Sequence, residues 1–168
     1  MTTQTERELR QEWETPDDFF GVVNSEFEFQ LDAAANQLNK KCAIWMDSRF
    51  DALRPKAKWV HANSLRVWVN PGFSGVDPWM GKAYVEAQKH LGAVVVVMAL
   101  ISPSTKWWRD WALKASEIRL LGGRRVQFKA PPGIKQSSNS RENCLVIFRP
   151  NSHHLPPHIW TWDWAKDL

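Results

Sequence analysis

The chain has 168 residues and a formal net charge of +4, and its composition is ordinary for a globular protein except for 11 tryptophans. This length is enough for one domain with a buried core, and we expect a single domain over residues 1–168. The longest apolar run, residues 93–101, is too short to cross a membrane. Two cysteines without a secretory signal favour a reduced, cytoplasmic protein, and no zinc-ligand spacing predicts a metal site.

The amino-terminal part of the chain predicts a leader and then a capped helix. Residues 1–12 are polar and charged, which is typical of a frayed or helical leader and not of a signal peptide. Thr15 is a suitable N-cap and Pro16 fits the first helical position. Asp17 and Asp18 suit the positive end of the helix dipole, and apolar residues at helical spacing follow.

Residues 26–32 alternate polar and apolar side chains, which predicts a strand that ends at Asp32. Small residues, Ala33 and Ala34, come directly afterwards. Because ligands of open α/β sheets bind beyond the carboxyl ends of strands, this arrangement lets a cofactor approach the backbone. The alternative is that Asp32 only caps the helix that follows.

Two acidic residues lie just beyond a second predicted strand, residues 41–46. In dinucleotide-binding folds an acidic residue in this place holds ribose hydroxyls. Asp47 and Asp51 both suit this role, and the sequence does not choose between them.

The central stretch, residues 66–75, predicts a buried strand that ends at Asn70 and turns. The Asn70 amide oxygen and the Pro71 carbonyl are hydrogen-bond acceptors, and Phe73 offers a flat apolar face. Two acceptors beside an aromatic ring suit a planar ring with an exocyclic amino group, such as adenine. The alternative is a plain strand exit with Phe73 packed in the core.

Helices and strands alternate after this stretch. A helix is predicted over residues 76–90, with Asp77 as its N-cap, and a buried strand over residues 93–101. A second helix is predicted over residues 106–115. The alternation predicts an α/β fold with one mainly parallel sheet covered on both faces.

The helix over residues 106–115 carries three tryptophans. Trp108 and Trp111 share one face, which leaves Trp107 more exposed. Core packing with one surface aromatic competes with a role for Trp107 in the wall of a substrate or DNA pocket.

A basic turn and a long polar loop follow a strand predicted over residues 117–121. Short strands over residues 126–128 and 144–148 are also predicted. Arginine, serine and asparagine side chains contact phosphates and base edges in DNA complexes. The candidate DNA-binding residues of this region are Arg124, Arg125, Ser138, Asn139 and Arg141. The alternative is a solvated connection between strands.

The tail, residues 150–168, is rich in proline and tryptophan, with tryptophans at three alternate positions, Trp160, Trp162 and Trp164. It either packs back on the domain as a strand or serves a partner.

Four ordered elements of the sequence resemble small phage-type DNA N6-adenine methyltransferases. They are Trp-x-Thr-Pro at residues 13–16, Phe-x-Leu-Asp-Ala-Ala at residues 29–34, Asp-Ala-Leu at residues 51–53, and Trp-Val-Asn-Pro at residues 68–71. Residues 70–73, Asn-Pro-Gly-Phe, resemble the Asn/Asp-Pro-Pro-Tyr/Phe/Trp motif of amino-directed methyltransferases. Gly72 stands where that motif usually has a second proline.

This resemblance implies a Rossmann-like class I methyltransferase that moves a methyl group from S-adenosylmethionine to adenine N6 in double-stranded DNA. It implies that Asn70 and the Pro71 carbonyl orient the amino group and that Phe73 stacks on the flipped base. The Thr-Pro turn would lie over the methyl donor. The implied cofactor residues are Trp13, Thr15, Pro16, Asp32, Ala33, Ala34, Asp47, Asp51 and Asn70.

The phage-type resemblance also implies protection of phage DNA from restriction in the bacterial cytoplasm. Two alternatives stay open: methylation of RNA adenine or protein glutamine, and a non-catalytic DNA-binding protein in which Gly72 marks lost activity. The sequence defines neither the DNA recognition site nor the oligomeric state, monomer or dimer.

Overall fold

A computed structural model describes residues 12–47, 51–72 and 75–168. The strands in these ranges are β1 (Leu31–Asp32), β2 (Ile44–Trp45), β3 (Arg66–Val69), β4 (Val94–Leu100), β5 (Glu117–Gly122), β6 (Asn143–Phe148) and β7 (His158–Asp163). The α-helices are α1 (Asp17–Phe27), α2 (Val76–Ala87) and α3 (Lys106–Asp110). None of the helices in these ranges has both the length and the apolar character needed to span a membrane.

All seven strands form one sheet in the order β2-β1-β3-β4-β6-β5-β7. Neighbouring strands are parallel except at β6, which is antiparallel to both β4 and β5. The predicted α/β class with a mainly parallel sheet is therefore confirmed, and the fold is Rossmann-like.

The strand order reverses between β1 and β3. From β1 the chain moves outward to β2 and then returns to pair β3 on the other side of β1. In the register, Leu31 of β1 lies opposite Val67 of β3. Open α/β sheets bind their ligands beyond the carboxyl ends of the strands at such a reversal. Asp32 and Asn70 stand at the two strand ends that flank it.

Apolar side chains cover both faces of the sheet. Along β3, Val67 and Val69 join the core on one face, while Trp68 joins the core on the other. Successive residues of a strand point to opposite faces, so a run of apolar residues buries both of them. Helix α2 packs on the first face through Met80 and its neighbours, and α1 packs on the second through Phe19 and its neighbours.

The strand predicted over residues 26–32 is wrong for most of its length. Helix α1 continues to Phe27, and only Leu31–Asp32 pairs as β1. Phe27 lies four residues after Val23 on the buried face of α1, so its apolar side chain satisfies the helical period as well as the alternating one. Glu28 ends the helix with a φ of 51°.

Thr15 is not the N-cap of α1, which corrects the predicted helix start. The helix begins at Asp17, and Pro16 is the N-cap in an extended conformation. The Thr15 hydroxyl instead accepts a hydrogen bond from Asn70. Asp77 is likewise not the cap of α2, because that helix starts at Val76 after Gly75.

The helix predicted over residues 106–115 is shorter in the structure, and the exposure of its tryptophans differs from the prediction. Helix α3 stops at Asp110, and a 3-10 turn covers Ala112–Lys114. Trp107 and Trp108 are both buried, while Trp111 is half-buried. The expectation of a more exposed Trp107 is therefore wrong, because the short helix turns both of the first two rings inward.

The tail forms the last strand of the sheet. β7 pairs in parallel with β5, and Trp162 and Trp164 are buried in the core of the second face. Each indole N–H finds an acceptor; that of Trp164 donates to the Arg124 carbonyl at 2.7 Å. The predicted strand over residues 126–128 is wrong, since this segment pairs with no named strand and is held through the bridge between Lys129 and Glu14.

Candidate active site

Of two cavities that described residues line at the carboxyl edge of the sheet, the larger has a volume of about 380 Å³. The loop after β1 forms one wall with the small residues Ala33, Ala34 and Ala35. The segment after β2 and Trp79 of α2 also line it. A volume of this size is in the range of small-molecule sites, roughly 300–1,000 Å³.

The smaller cavity, of about 190 Å³, lies beyond the ends of β3 and β4. Met98, Ala99, Trp107 and Arg141 are among the residues that line it. Pro71 and Gly72 line both cavities. The turn after β3 is therefore shared by the larger and the smaller cavity.

Asn70 is held at the end of β3 by its side chain. Its Nδ2 donates a hydrogen bond to the Thr15 Oγ1 at 2.9 Å, and Thr15 is 2% exposed. This bond fixes the orientation of the amide, whose Oδ1 is the one hydrogen-bond acceptor of the side chain. Pro71 follows directly and lines both cavities, whereas Asn70 lines neither of them.

The Asp32 carboxylate lies behind the wall of the larger cavity. It is 2% exposed, and it accepts hydrogen bonds from the backbone N–H of Ala34 at 3.3 Å and of Lys41 at 3.0 Å. Burial raises the pKa of Asp32 to about 6, although both backbone hydrogen bonds act in the opposite direction. Asp32 thus fixes the loop that lines the cavity and does not itself reach the cavity surface.

An ionic cluster ties together three segments around the larger cavity. Lys41 Nζ lies 2.6 Å from both Glu14 Oε1 and Asp17 Oδ1, and Lys129 Nζ lies 2.6 Å from Asp17 Oδ2. Hydrogen bonds from Lys129 and Lys41 lower the pKa of Asp17 to about 2. The cluster joins the start of α1, the loop after β1 and the loop before β6.

A family model described as DNA N-6-adenine-methyltransferase (Dam) matches residues 2–161. The chain belongs to this family. No curated protein matches the sequence significantly. The resemblance to phage-type N6-adenine methyltransferases is thus confirmed, and the observed sheet is the Rossmann-like methyltransferase fold.

In this Dam-family chain, the predicted cofactor residues fall into three groups. Ala33, Ala34, Asp47 and Asp51 line the larger cavity. Asp32 and Asn70 support it from the two strand ends. The third group, Trp13, Thr15 and Pro16, is not part of this lining; from the same segment Glu12, which was not predicted, lines the cavity.

Trp13, Thr15 and Pro16 are placed beside this lining. Trp13 packs against the core of the second face, and Pro16 is buried at the start of α1. Thr15 reaches the site through Asn70.

Both acidic candidates for the ribose stand at the same wall. Asp51 adopts a φ of 40°, and its carboxylate pairs with Arg54 Nε at 3.2 Å. Asp47 lines the cavity next to Met46. The structure brings the two carboxylates to one cavity and leaves both as candidates.

Two of the predicted DNA-binding arginines carry internal ion pairs. Arg124 pairs with Asp18 and stacks over the Trp164 ring at 4.7 Å. Arg125 pairs with Glu142 at 2.7 Å. Both lie on the loop between β5 and β6, at the carboxyl edge of the sheet, but neither is among the described residues that line a cavity.

The polar loop holds the other candidates. Ser138 is exposed, while the Asn139 amide is engaged inside the loop, donating to Val126 O at 3.0 Å and to Asn143 Oδ1 at 2.7 Å. Arg141 is exposed and lines the smaller cavity together with Trp107. Phe73, predicted to stack on the base, lies outside the described residues.

Several cavity residues were missed by sequence reasoning. Asn36, Asn39 and Trp79 line the larger cavity, and Ser102 and Thr105 line the smaller one. Ser102 and Thr105 follow β4, so the rule that ligands bind beyond strand ends could have indicated them. Trp79 lies on a helix whose apolar pattern carries no such signal.

Neither cysteine suits a role as a nucleophile. Burial raises the pKa of Cys42 to about 12, with Asp32 adding to the effect, and burial alone raises the pKa of Cys144 to about 12. Both thiols are therefore protonated at neutral pH and unreactive. Within the ranges that the structure covers, no group of three or more His, Cys, Asp or Glu residues is placed to hold a metal ion.

Proposed function

We propose that the chain transfers a methyl group from S-adenosylmethionine to adenine N6 in double-stranded DNA, acting on a base flipped out of the helix. The observation that carries this proposal is the pair of cavities that meet at Pro71 and Gly72. A two-substrate transfer needs two sites with a shared wall, and the residues shared here, Pro71 and Gly72, belong to the stretch that resembles the motif of amino-directed methyltransferases.

The larger cavity fits the methyl donor. Small residues at positions 33–35 expose the loop backbone to a ligand, Asp47 and Asp51 offer carboxylates for hydroxyl groups, and Trp79 offers an aromatic face. S-adenosylmethionine, when bound, supplies the methyl group. The residues that line the larger cavity bind and orient this donor.

The smaller cavity fits the adenine ring. Met98, Ala99 and Trp107 give it apolar and aromatic walls. The Asn70 Oδ1 and the Pro71 carbonyl accept hydrogen bonds from the exocyclic amino group and favour the positive charge that develops on its nitrogen. Because Thr15 holds the amide, this acceptor is preorganised, which is how electrostatic stabilisation contributes to rate. Phe73, Asn70 and Pro71 are the proposed catalytic residues.

We propose that the loop between β5 and β6 faces the DNA, because it lies at the same edge of the sheet as both cavities. Of the predicted DNA-binding residues, we assign direct contact to Arg141, Ser138 and Trp107. Arg124, Arg125 and Asn139 are engaged within the protein and are assigned to holding the loop in place. The chain is proposed to work as one methyltransferase domain, since a single sheet takes strands from residue 31 to residue 163. The phage-type resemblance supports a role in protecting phage DNA from restriction in the bacterial cytoplasm.

The test is transfer of tritiated methyl groups from S-adenosylmethionine to unmethylated duplex DNA. Digestion of the product to nucleosides should give labelled N6-methyl-2′-deoxyadenosine. The Asn70→Ala variant is the matched control, because it removes the proposed acceptor. Equal labelling of DNA by both proteins would show that the proposed site is wrong. Labelling of RNA or of protein alone would replace the DNA substrate, and no labelling of any of them would favour a non-catalytic DNA-binding protein.

A further inference from the structure

The arginines of the described chain differ in one respect, which is whether a carboxylate neutralises them. Ion pairs with aspartate or glutamate hold Arg54, Arg66, Arg109, Arg119, Arg124, Arg125 and Arg149. Within residues 12–47, 51–72 and 75–168, Arg141 is the arginine whose guanidinium has no carboxylate partner. It is exposed, and it lines the smaller cavity.

The backbone of Arg141 is fixed, even though its side chain is exposed. Its N–H donates to the Asn139 Oδ1 at 3.0 Å, and the Asn139 Nδ2 donates to the Asn143 Oδ1 at 2.7 Å. Asn143 is 3% exposed, and its Nδ2 donates to the carbonyl of Ala99 at 3.4 Å. Ala99 and Arg141 both line the smaller cavity, so a chain of hydrogen bonds connects two residues of its lining.

Given the proposed function, we infer that Arg141 binds a phosphate of the target nucleotide while its base occupies the smaller cavity, and that Asn139 is a positioning residue for this contact. A base that enters the cavity brings its own phosphates to the cavity mouth. A guanidinium presents parallel N–H donors that match a phosphate, and one already paired with a carboxylate is less available. Arg125, neutralised by Glu142, is therefore not an equivalent contact.

The inference assigns different roles to residues that share one loop. Arg141 contacts the DNA backbone directly. Both the Nδ2 and the Oδ1 of Asn139 form hydrogen bonds within the protein, so Asn139 acts through Arg141 and not on a base edge. This deepens the proposed function by naming the phosphate that anchors the extruded nucleotide.

The first experiment measures binding and needs no methyl transfer. A short oligodeoxyadenylate is titrated with wild type, Arg141→Gln and Arg125→Gln over a range of salt concentrations. Arg141→Gln should flatten the slope of log K against log salt by about 0.7, the value for one phosphate contact on a single strand. Arg125→Gln should leave the wild-type slope. Equal slopes for all three proteins would overturn the inference, whether or not wild type methylates DNA.

The second experiment uses a duplex that contains the adenine methylated by wild type. Arg141→Gln should lower kcat/KM by about 10- to 100-fold, as expected for one lost hydrogen bond to a charged group. A neutral methylphosphonate beside the target adenine should lower wild-type kcat/KM similarly and leave Arg141→Gln unaffected. Arg125→Gln should respond to that replacement like wild type. An additional loss in Arg141→Gln on the modified duplex would place the contact elsewhere.

Asn139→Ala distinguishes positioning from direct contact. The Asn139→Ala variant should have a higher KM than wild type. Its slope of log K against log salt should lie between those of wild type and Arg141→Gln, because the arginine is present but held less firmly. Arg141→Lys should recover part of the slope through its charge and little of the kcat/KM. If wild type labels no nucleic acid while the Arg141→Gln slope still falls, the methyltransferase proposal fails and the phosphate contact stands.

Discussion

The side chain of Asn70 donates a hydrogen bond from Nδ2 to the Oγ1 of Thr15 at 2.9 Å. The bond joins the end of strand β3 to the residue before the N-cap of α1, and Thr15 is buried. It fixes the orientation of the amide and leaves Oδ1, the one acceptor of this side chain, out of the contact. Thr15 thereby acts on the proposed chemistry without reaching the cavity.

We expect Thr15→Val to lower kcat by about 10- to 100-fold, which is the scale of a misplaced reacting geometry. Valine keeps the shape of threonine but leaves the Asn70 Nδ2 without its acceptor, so the amide can rotate. Thr15→Ser keeps the hydroxyl and should retain most of the activity. Tritium transfer to DNA measures both variants, and normal kcat in a folded Thr15→Val protein would refute the positioning role.

Asn70 itself should act on the transition state more than on binding. Asn70→Ala should reduce turnover by about 10²- to 10³-fold, the range for removing one preorganised group that stabilises developing charge. Its affinity for S-adenosylmethionine, measured by calorimetry, should stay near that of wild type. Asn70→Asp keeps an acceptor and can take a hydrogen bond from the Thr15 hydroxyl, so it should lose less than alanine. A large loss of cofactor affinity in Asn70→Ala would assign the residue to donor binding instead.

The sequence predicted the fold well where the spacing of apolar residues is compatible with one kind of secondary structure only. The buried strand over residues 93–101 and the strand over residues 144–148 appear as β4 and β6 with minor shifts at their ends. The boundary near Phe27 failed because its side chain fits both a helix face and an alternating strand. The tail strand β7 could not be assigned from its own sequence, since its place beside β5 depends on a pairing distant in the chain.

The site shows the same division between local and distant information. Strand ends indicated Ala33, Asp47 and Pro71, which the structure places at cavities. Ion pairs across the chain are not visible in a sequence, so Arg125 and Arg141 looked equivalent until Glu142 was seen to neutralise one of them. The role of Thr15 was hidden for the same reason, because its partner lies on β3.

The close contact of β5 with β7 makes Gly123 sensitive to substitution. Gly123 has a φ of +74°, and a Cβ there would lie 1.8 Å from the Asp163 Oδ1. Gly133 has a similar φ of +83° with no atom within 4 Å of an added Cβ in the described structure. Gly133→Ala should therefore lower the free energy of unfolding by roughly 1–2 kcal/mol, which is the cost of holding alanine in the left-handed conformation.

Gly123→Ala should cost distinctly more than Gly133→Ala, because Asp163 must also move. Urea unfolding followed by tryptophan fluorescence measures both free energies, and the buried tail tryptophans report detachment of β7. Equal free energies for the two variants would mean that Asp163 adjusts freely and that the contact is not tight.

Glu86 should make the folded state less stable in acid. It is fully buried, its Oε1 lies 2.9 Å from Lys82 Nζ and 2.5 Å from Lys89 Nζ, and its Oε2 accepts from the N–H of Trp59 and Val60. Burial alone would raise the pKa of Glu86, but the hydrogen bonds, that from Lys89 first, outweigh it and lower the pKa. A lowered pKa stabilises the folded state above the unfolded pKa, and this contribution is lost as the pH falls through the folded pKa.

Glu86→Gln should accordingly destabilise the protein by roughly 3 kcal/mol at neutral pH, the scale for breaking a buried ion pair. Its deficit against wild type should shrink as the pH falls into the acid range. Glu142→Gln, which removes an exposed ion pair with Arg125, should cost at most about 1 kcal/mol. Chemical unfolding at several pH values compares the three proteins, and a deficit of Glu86→Gln that does not change with pH would contradict the expected linkage.

Asp32 should act in the opposite direction. Its pKa is raised by burial from 3.8 to about 6, so the folded chain keeps a proton that the unfolded chain releases. At a pH below the pKa of Asp32 in the unfolded chain, the carboxyl is protonated in both states and does not lower the free energy of unfolding. As the pH rises from about 4 to about 6, stability should fall by roughly 3 kcal/mol, from ~1.36 kcal/mol per pKa unit.

Asp32→Asn cannot ionise, so it should lack this decrease while keeping the acid loss that Glu86 causes. The variant also turns an amide toward the backbone N–H of Ala34 or Lys41, both of which donate to Asp32 in the wild type. This disturbs the loop that lines the larger cavity and should weaken binding of S-adenosylmethionine measured by calorimetry. The free energy of unfolding at pH 4 and at pH 7 decides the stability claim: the wild-type difference minus the variant difference should be roughly 3 kcal/mol. A difference near zero would mean that Asp32 is ionised without cost, held by its two backbone donors.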